Sequence, residues 1–241
     1  MASAASLCAA LLMTSFSTGW SGTVSEDFES YTAGTTGSAA GWMLLTGETP
    51  VDKWTVEAVE QPAGNDSSLA FVSNGGQNSQ IYKPFLKETG INETTQKVYY
   101  TAWVSPLFSG SVIQNVRFGL RAEGQQPVFL FGVEQGEPGA KQFHFSIGEA
   151  VSTDSFPAQH WYEVQLVLDL SGGPGSASGS LFARDATTGD GGLVPLNGLQ
   201  DVPVTLPKGA DPSQWSAWVI RSQYRQLIDN LSLSTEPTPN P

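Results

Sequence analysis

Residues 160–185 read HWYEVQLVLDLSGGPGSASGSLFARD, and no other stretch restricts the fold as tightly. Tyr162, Val164, Leu166, Leu168 and Leu170 fall on one side of an extended backbone, while Trp161, Glu163, Gln165, Val167 and Asp169 fall on the other. Successive side chains of a strand point to opposite faces, so a period of two marks a half-buried strand. A turn rich in Gly, Ser and Pro follows, and 180–185 alternates again. A lone hairpin is barely stable in water, so this one must lay its apolar side on something larger.

The same signature recurs along the chain. In 97–104, Val98, Tyr100, Ala102 and Val104 oppose Tyr99, Thr101 and Trp103. In 112–123, Val112, Gln114, Val116, Phe118 and Leu120 oppose Ile113, Asn115, Arg117, Gly119 and Arg121. In 141–147, Phe143, Phe145 and Ile147 oppose Gln142, His144 and Ser146. Shorter extended runs are expected at 23–31, 42–45, 54–60, 69–73, 80–85, 127–133, 214–222 and 226–233. With 26 Gly, 15 Pro and only 14% charged residues, the chain has the composition of many short strands joined by tight turns. The expectation is an all-β fold, one antiparallel two-sheet sandwich over 20–234, with no break in composition between 23 and 234. Residues 235–241 (TEPTPNP) read as a Pro/Thr-rich tail or linker stub.

The net charge of −12 repels phosphate backbones and anionic lipid, which excludes nucleic acid and bare membrane as natural partners. The one cysteine, Cys8, lies in an apolar run at 4–16 followed by small residues, as in a signal peptide covering 1–19. No Lys or Arg precedes that run, and it is too short to span a bilayer, so no membrane insertion is expected. Export would leave a mature chain without cysteine, stabilised by its core rather than by disulfides.

The opening EDFESY (26–31), the strand HWYEVQLVLDL, the sequel GSLFARD and the closing LIDNLSL (227–233) together resemble the concanavalin A-like lectin/glucanase group, in particular its laminin-G-like jelly rolls. The first and last of these are also similar to jelly-roll carbohydrate-binding modules. In such modules an acid of the first strand and an Asp of the last share a structural Ca²⁺. The resemblance therefore implies calcium at Glu29 and Asp229, with Asp27 as a third ligand. The alternative is that these carboxylates are solvated or take backbone amides at the seam.

Polar and aromatic residues on the less apolar sides of the middle strands supply a sugar-binding inventory of rings, amides and guanidinium groups. They are Tyr99, Trp103, Asn115, Arg117, Arg121, Gln142, His144, Glu163 and Gln165, and they are expected to share one cupped face. The alternative for Trp103 is burial beneath a loop.

Arg121-Ala122-Glu123, Gln142-Phe143-His144 and Tyr224-Arg225-Gln226 follow the order of the R-x-E, Q-x-H and Y-x-Q motifs of jelly-roll alginate lyases. That similarity implies Arg121 and Gln142 on a uronate carboxylate, with His144 and Tyr224 handling the proton. The first two motifs lie unusually close together, and the Lys/Gly block before the third is missing. A glycosidase needs two carboxylates, and neither Glu26 with Glu29 nor Glu134 with Glu137 has alternate spacing. The expectation is a secreted polysaccharide-binding domain without catalysis; a polysaccharide lyase, a glycoside hydrolase and a structural or adhesion module are the alternatives.

Overall fold

The computed structural model describes residues 22–47, 50–62, 65, 67–73, 79–86, 88–109, 112–113, 115–136, 141–189, 191–208, 210–223 and 225–237. The expected signal segment, Tyr224 and the last residues of the tail lie outside them.

Wherever apolar residues alternate, a strand forms. The first are β1 (Thr23–Glu26), β2 (Met43–Thr46), β3 (Trp54–Ala58), β4 (Leu69–Ser73), β5 (Ser79–Pro84) and β6 (Lys97–Pro106). The short β7 (Phe108–Ser109) and β8 (Val112–Ile113) precede β9 (Val116–Ala122), β10 (Val128–Gln135) and β11 (Gln142–Ile147). Two more short strands, β12 (Ala150–Val151) and β13 (Phe156–Pro157), lead to β14 (Tyr162–Asp169) and β15 (Ser178–Asp185). After β16 (Val194–Pro195) and β17 (Val202–Pro203) come β18 (Trp215–Ser222) and β19 (Gln226–Ser234).

Two antiparallel sheets result. Sheet I has the order β16-β15-β14-β6-β19-β4-β3, with β1 against β19 and β17 against β15. Sheet II has the order β12-β11-β10-β9-β18-β5-β2, with β13 against β11. The hairpin expected from 160–185 is β14 and β15, paired from Tyr162 opposite Asp185 to Asp169 opposite Ser178. Its apolar side joins the core, as the alternation requires. The expected strand at 112–123 is split: the long pairing begins at Val116, and Val112–Ile113 pair separately with Phe108–Ser109.

The inner faces meet in one core. Val98, Tyr100, Ala102 and Val104 of β6 and Val164, Leu166 and Leu168 of β14 face Phe118 and Leu120 of β9 and Phe143, Phe145 and Ile147 of β11. Aromatic rings cluster within it, Phe71 stacking at 5.1 Å on both Phe28 and Trp42, and Tyr100 meeting Phe131 edge-on at 5.0 Å. Lys83 of β5 also turns inward, paired with Glu26 of β1 and in contact with the Tyr31 hydroxyl, so an ion pair ties one sheet to the other.

A second, smaller cluster covers the outer face of sheet I. Ala70, Trp103, Trp161 and Ala186 pack there with Val59 and Leu227. Among the described residues no helix is long and apolar enough to cross a membrane.

Candidate functional site

Alternation decides which side chains leave the core, but the sheet a strand joins decides which surface they reach. Tyr99, Trp103, Glu163 and Gln165 lie on β6 and β14 and point out of sheet I. Arg117 and Arg121 on β9, and Gln142 and His144 on β11, point out of sheet II, with Asn115 just ahead of β9. The expected single face is thus corrected: its residues divide between opposite sides of the sandwich.

On sheet I these residues are largely enclosed. Trp103 is 5% exposed, under the segment around 59–62 and beside the Arg184 guanidinium at 5.4 Å from its ring. Arg184 in turn pairs with Glu163. Gln165 is buried and donates to Thr101 Oγ at 3.3 Å, and Tyr99 is half-buried. Burial of Trp103 beneath a loop is what the structure shows, so its ring offers no platform to a ligand.

Sheet II is the more open face. Registration across its centre puts Arg117 beside Gly132 of β10, which lies beside Ser146 of β11. Lacking a side chain, Gly132 lets Arg117 cross over β10: its Nη1 donates to Ser146 Oγ at 3.2 Å and to Gly148 O at 3.0 Å. Its Nη2 pairs with Glu134. On the other flank Arg221 of β18 stands directly opposite Arg117, and Val219 opposite Tyr82 of β5. Arg121 reaches over that row, its guanidinium 4.6 Å from the Tyr82 ring centre, while its Nε donates to Gln125 O at 3.1 Å.

His144 sits opposite Glu134. Its Nδ1 lies 3.0 Å from Ser152 O and 2.9 Å from Asp154 O. Both are acceptors, so Nδ1 carries a hydrogen. Asn115 Oδ1 accepts from Gln135 N at 3.0 Å, and Gln142 Oε1 from Ser155 Oγ at 3.1 Å.

The lyase set is not assembled. His144 pairs with Glu134, and Val133 with Val116, which places His144 at the level of Asn115, six residues along the strand from Arg121. At about 3.3 Å per residue the two lie roughly 20 Å apart, and Gln142 is farther still. A carboxylate held by Arg121 is out of reach of a proton acceptor at His144. Tyr224 lies outside the described residues.

The three carboxylates expected to hold calcium lie at the β1–β19 end of sheet I. Asp229 is fully buried, opposite Trp103. Its Oδ2 accepts from Gln61 Nε2 at 3.1 Å and Asn65 Nδ2 at 3.0 Å, and its Oδ1 from Asn230 N at 2.8 Å. Burial pushes its carboxyl up to about 7; donors on Asn65, Asn230 and Ser67 pull the other way, and the charge of Glu29 adds to the rise. Glu29 Oε1 accepts from Ser68 N at 2.8 Å and Leu69 N at 2.7 Å, and Oε2 from Ser68 Oγ. Asp27 Oδ1 caps Glu29 N at 3.1 Å.

As arranged, these side chains do not fit a cation, because N–H and O–H donors already face their oxygens. Among the described residues no three His, Cys, Asp or Glu side chains are grouped to hold a metal.

Tyr82, Glu134, Ser146 and Arg221 belong to the sheet II face although the sequence did not single them out for it. For Tyr82 the one signal is its place between Ile81 and Lys83 in an extended run. It reads as outward only once the neighbouring lysine is known to point in.

The fold and this surface define the class: an antiparallel two-sheet jelly-roll β-sandwich with a polar, arginine-bearing face on one sheet. No family model matches the chain, and no curated protein matches it. Among solved structures it is similar to the catalytic domain of a glycoside hydrolase family 131 β-glucanase from Podospora anserina. That match has a TM-score of 0.53 and 12% identity over 88% of this chain and 94% of that one. A family 131 catalytic domain from Coprinopsis cinerea aligns with a TM-score of 0.51 and 12% identity over 88% of this chain and 93% of its own. At such identity the likeness is one of fold.

Proposed function

We propose that the protein binds polysaccharide outside the cytoplasm through the outer face of sheet II, without cleaving it. The observation that carries this reading is the charge pattern of that face. Arg117 and Arg221 stand directly opposite one another, with Arg121 on Tyr82 alongside, against one carboxylate, Glu134. Three guanidinium groups gathered on one outer face of an otherwise acidic protein suit an anionic ligand. Glu134 is the sole Asp or Glu in the described strands of sheet II and is tied to Arg117. Retaining and inverting glycosidases alike use a carboxylate pair, so binding is the reading this chemistry supports. The likeness to β-glucanase domains and the resemblance in sequence to carbohydrate-binding jelly rolls are compatible with a glycan ligand.

Affinity electrophoresis against acidic and neutral polysaccharides tests it, alongside assays for new reducing ends and for unsaturated ends at 235 nm. The expected result is retardation in gels containing an acidic polysaccharide, with no product. Mobility unchanged in every gel, or release of either product, contradicts the proposal.

A further inference from the structure

Between the arginines of sheet II runs a row of side chains that carries no charge. Phe129 of β10 stands opposite Gly119 of β9, Gly119 opposite Val219 of β18, Val219 opposite Tyr82 of β5, and Tyr82 opposite Met43 of β2. The pairs flanking Phe129 and Gly119, Val128 with Leu120 and Phe131 with Phe118, lie in the core, so this row belongs to the outer face. Phe129 is half-buried and takes no part in that core, and Met43 at the sheet edge is 40% exposed. A solvated sheet face is ordinarily polar at such places, and an apolar strip rimmed by polar groups marks a ligand groove.

The strip has a definite geometry. Neighbouring strands lie about 4.8 Å apart, so the Phe129 and Tyr82 positions, three strand spacings from one another, are separated by about 14 Å. Between them Gly119 has no side chain and Val219 is fully buried, which leaves a low floor between two rings. The Arg121 guanidinium holds the Tyr82 ring from one side. Along β9, Arg117 precedes Gly119 by two residues and Arg121 follows it by two, which puts their positions about 7 Å to either side of the row. Arg221 adds a second cation on the Arg117 side.

An apolar track with cations on both flanks matches a flat chain that has apolar ring faces and anionic edges. In a β-1,4-linked uronan successive units face opposite ways, so carboxylates leave from alternate edges, and each unit advances by a distance close to one strand spacing. Resting on the reading of sheet II as the glycan surface, we infer that the ligand is a β-1,4-linked uronan lying across the strands from β10 to β5. Its first and fourth rings lie on Phe129 and Tyr82. Its carboxylates meet Arg117 and Arg221 along one edge and Arg121 along the other.

The test is calorimetric titration of the full chain with β-1,4-linked glucuronate oligomers of two and four units, beside the gel assay with acidic polysaccharide. The dimer is too short to reach both rings. The tetramer should bind at least about 10-fold more tightly, as expected for a second aromatic anchor. Phe129→Ala should bring the tetramer down to the affinity of the dimer, with Tm unchanged, and Phe129→Tyr, which keeps a ring, should retain the gain. Retardation by an acidic polysaccharide with no gain from dimer to tetramer, or with the gain kept in Phe129→Ala, overturns the inference and leaves the reading of sheet II standing. So does a polysaccharide that binds when neither oligomer does. If polysaccharide and oligomers alike fail to bind, both readings fall.

Discussion

At Gly132 one missing side chain shapes the face. A Cβ there would stand 2.3 Å from Val116 O and 2.7 Å from Arg117 Cδ, so neither the ladder nor the arginine tolerates it. Gly132→Ala should therefore push β9 from β10 and lift Arg117 off Ser146. The expected cost is about 1–3 kcal/mol, as for overpacking elsewhere, together with weaker binding of acidic polysaccharide. Thermal denaturation checks this, and a Tm equal to wild type would contradict it.

Asp229 is the other residue that sets a measurable property. Its folded pKa of about 7 lies above the 3.8 of an ordinary aspartate, so the folded state keeps a proton that the unfolded chain releases. That stability is fully present below about pH 4 and is lost as pH rises through about 7. Asp229→Asn should flatten the fall in Tm between pH 5 and 8; an identical fall in the variant would show that Asp229 does not cause it. With Ser68 and Leu69 amides on Glu29, Tm at pH 7 should also be the same in excess EDTA and in millimolar Ca²⁺. A rise with calcium would mean that Glu29 leaves those amides for the ion.

Between elements, the Lys83–Glu26 pair joins β5 of sheet II to β1 of sheet I inside the protein. Removing one partner strands a buried charge. Lys83→Met alone should lose about 3–5 kcal/mol, whereas Lys83→Met with Glu26→Leu should recover most of it. Urea denaturation of both variants decides this, and equal losses would contradict it. This pair also shows why part of the fold escapes a sequence reading. A lysine is normally solvated, so nothing in SQIYKP says that Lys83 points in and Tyr82 out. By contrast, β6, β14 and β15 were legible because period two persists over most of their length. Alternation tells inside from outside, but it carries no information on which of two sheets a strand will join. Trp103 and Arg117 both read as outward, and both are; they lie on opposite outer faces. Likewise, the spacing of Arg121 and His144 in sequence hides a ladder that sets them at different ends of one face.

Taken whole, the molecule is strongly acidic, at −12, yet gathers three of its 11 Lys and Arg residues on the strands of one outer face. Solubility explains an acidic surface in general. The gathering of Arg117, Arg121 and Arg221 on one outer face is what the proposed ligand would use. The opposite face closes over Trp103. The measurement that reaches this account most directly is the affinity for an acidic polysaccharide of two variants, Tyr82→Ala on sheet II and Tyr99→Ala on sheet I. The account predicts about a 10-fold or greater loss for Tyr82→Ala, as for other aromatic anchors, and wild-type affinity for Tyr99→Ala, with both variants folded. Loss in Tyr99→Ala alongside wild-type binding in Tyr82→Ala would place the ligand on the other sheet and contradict it.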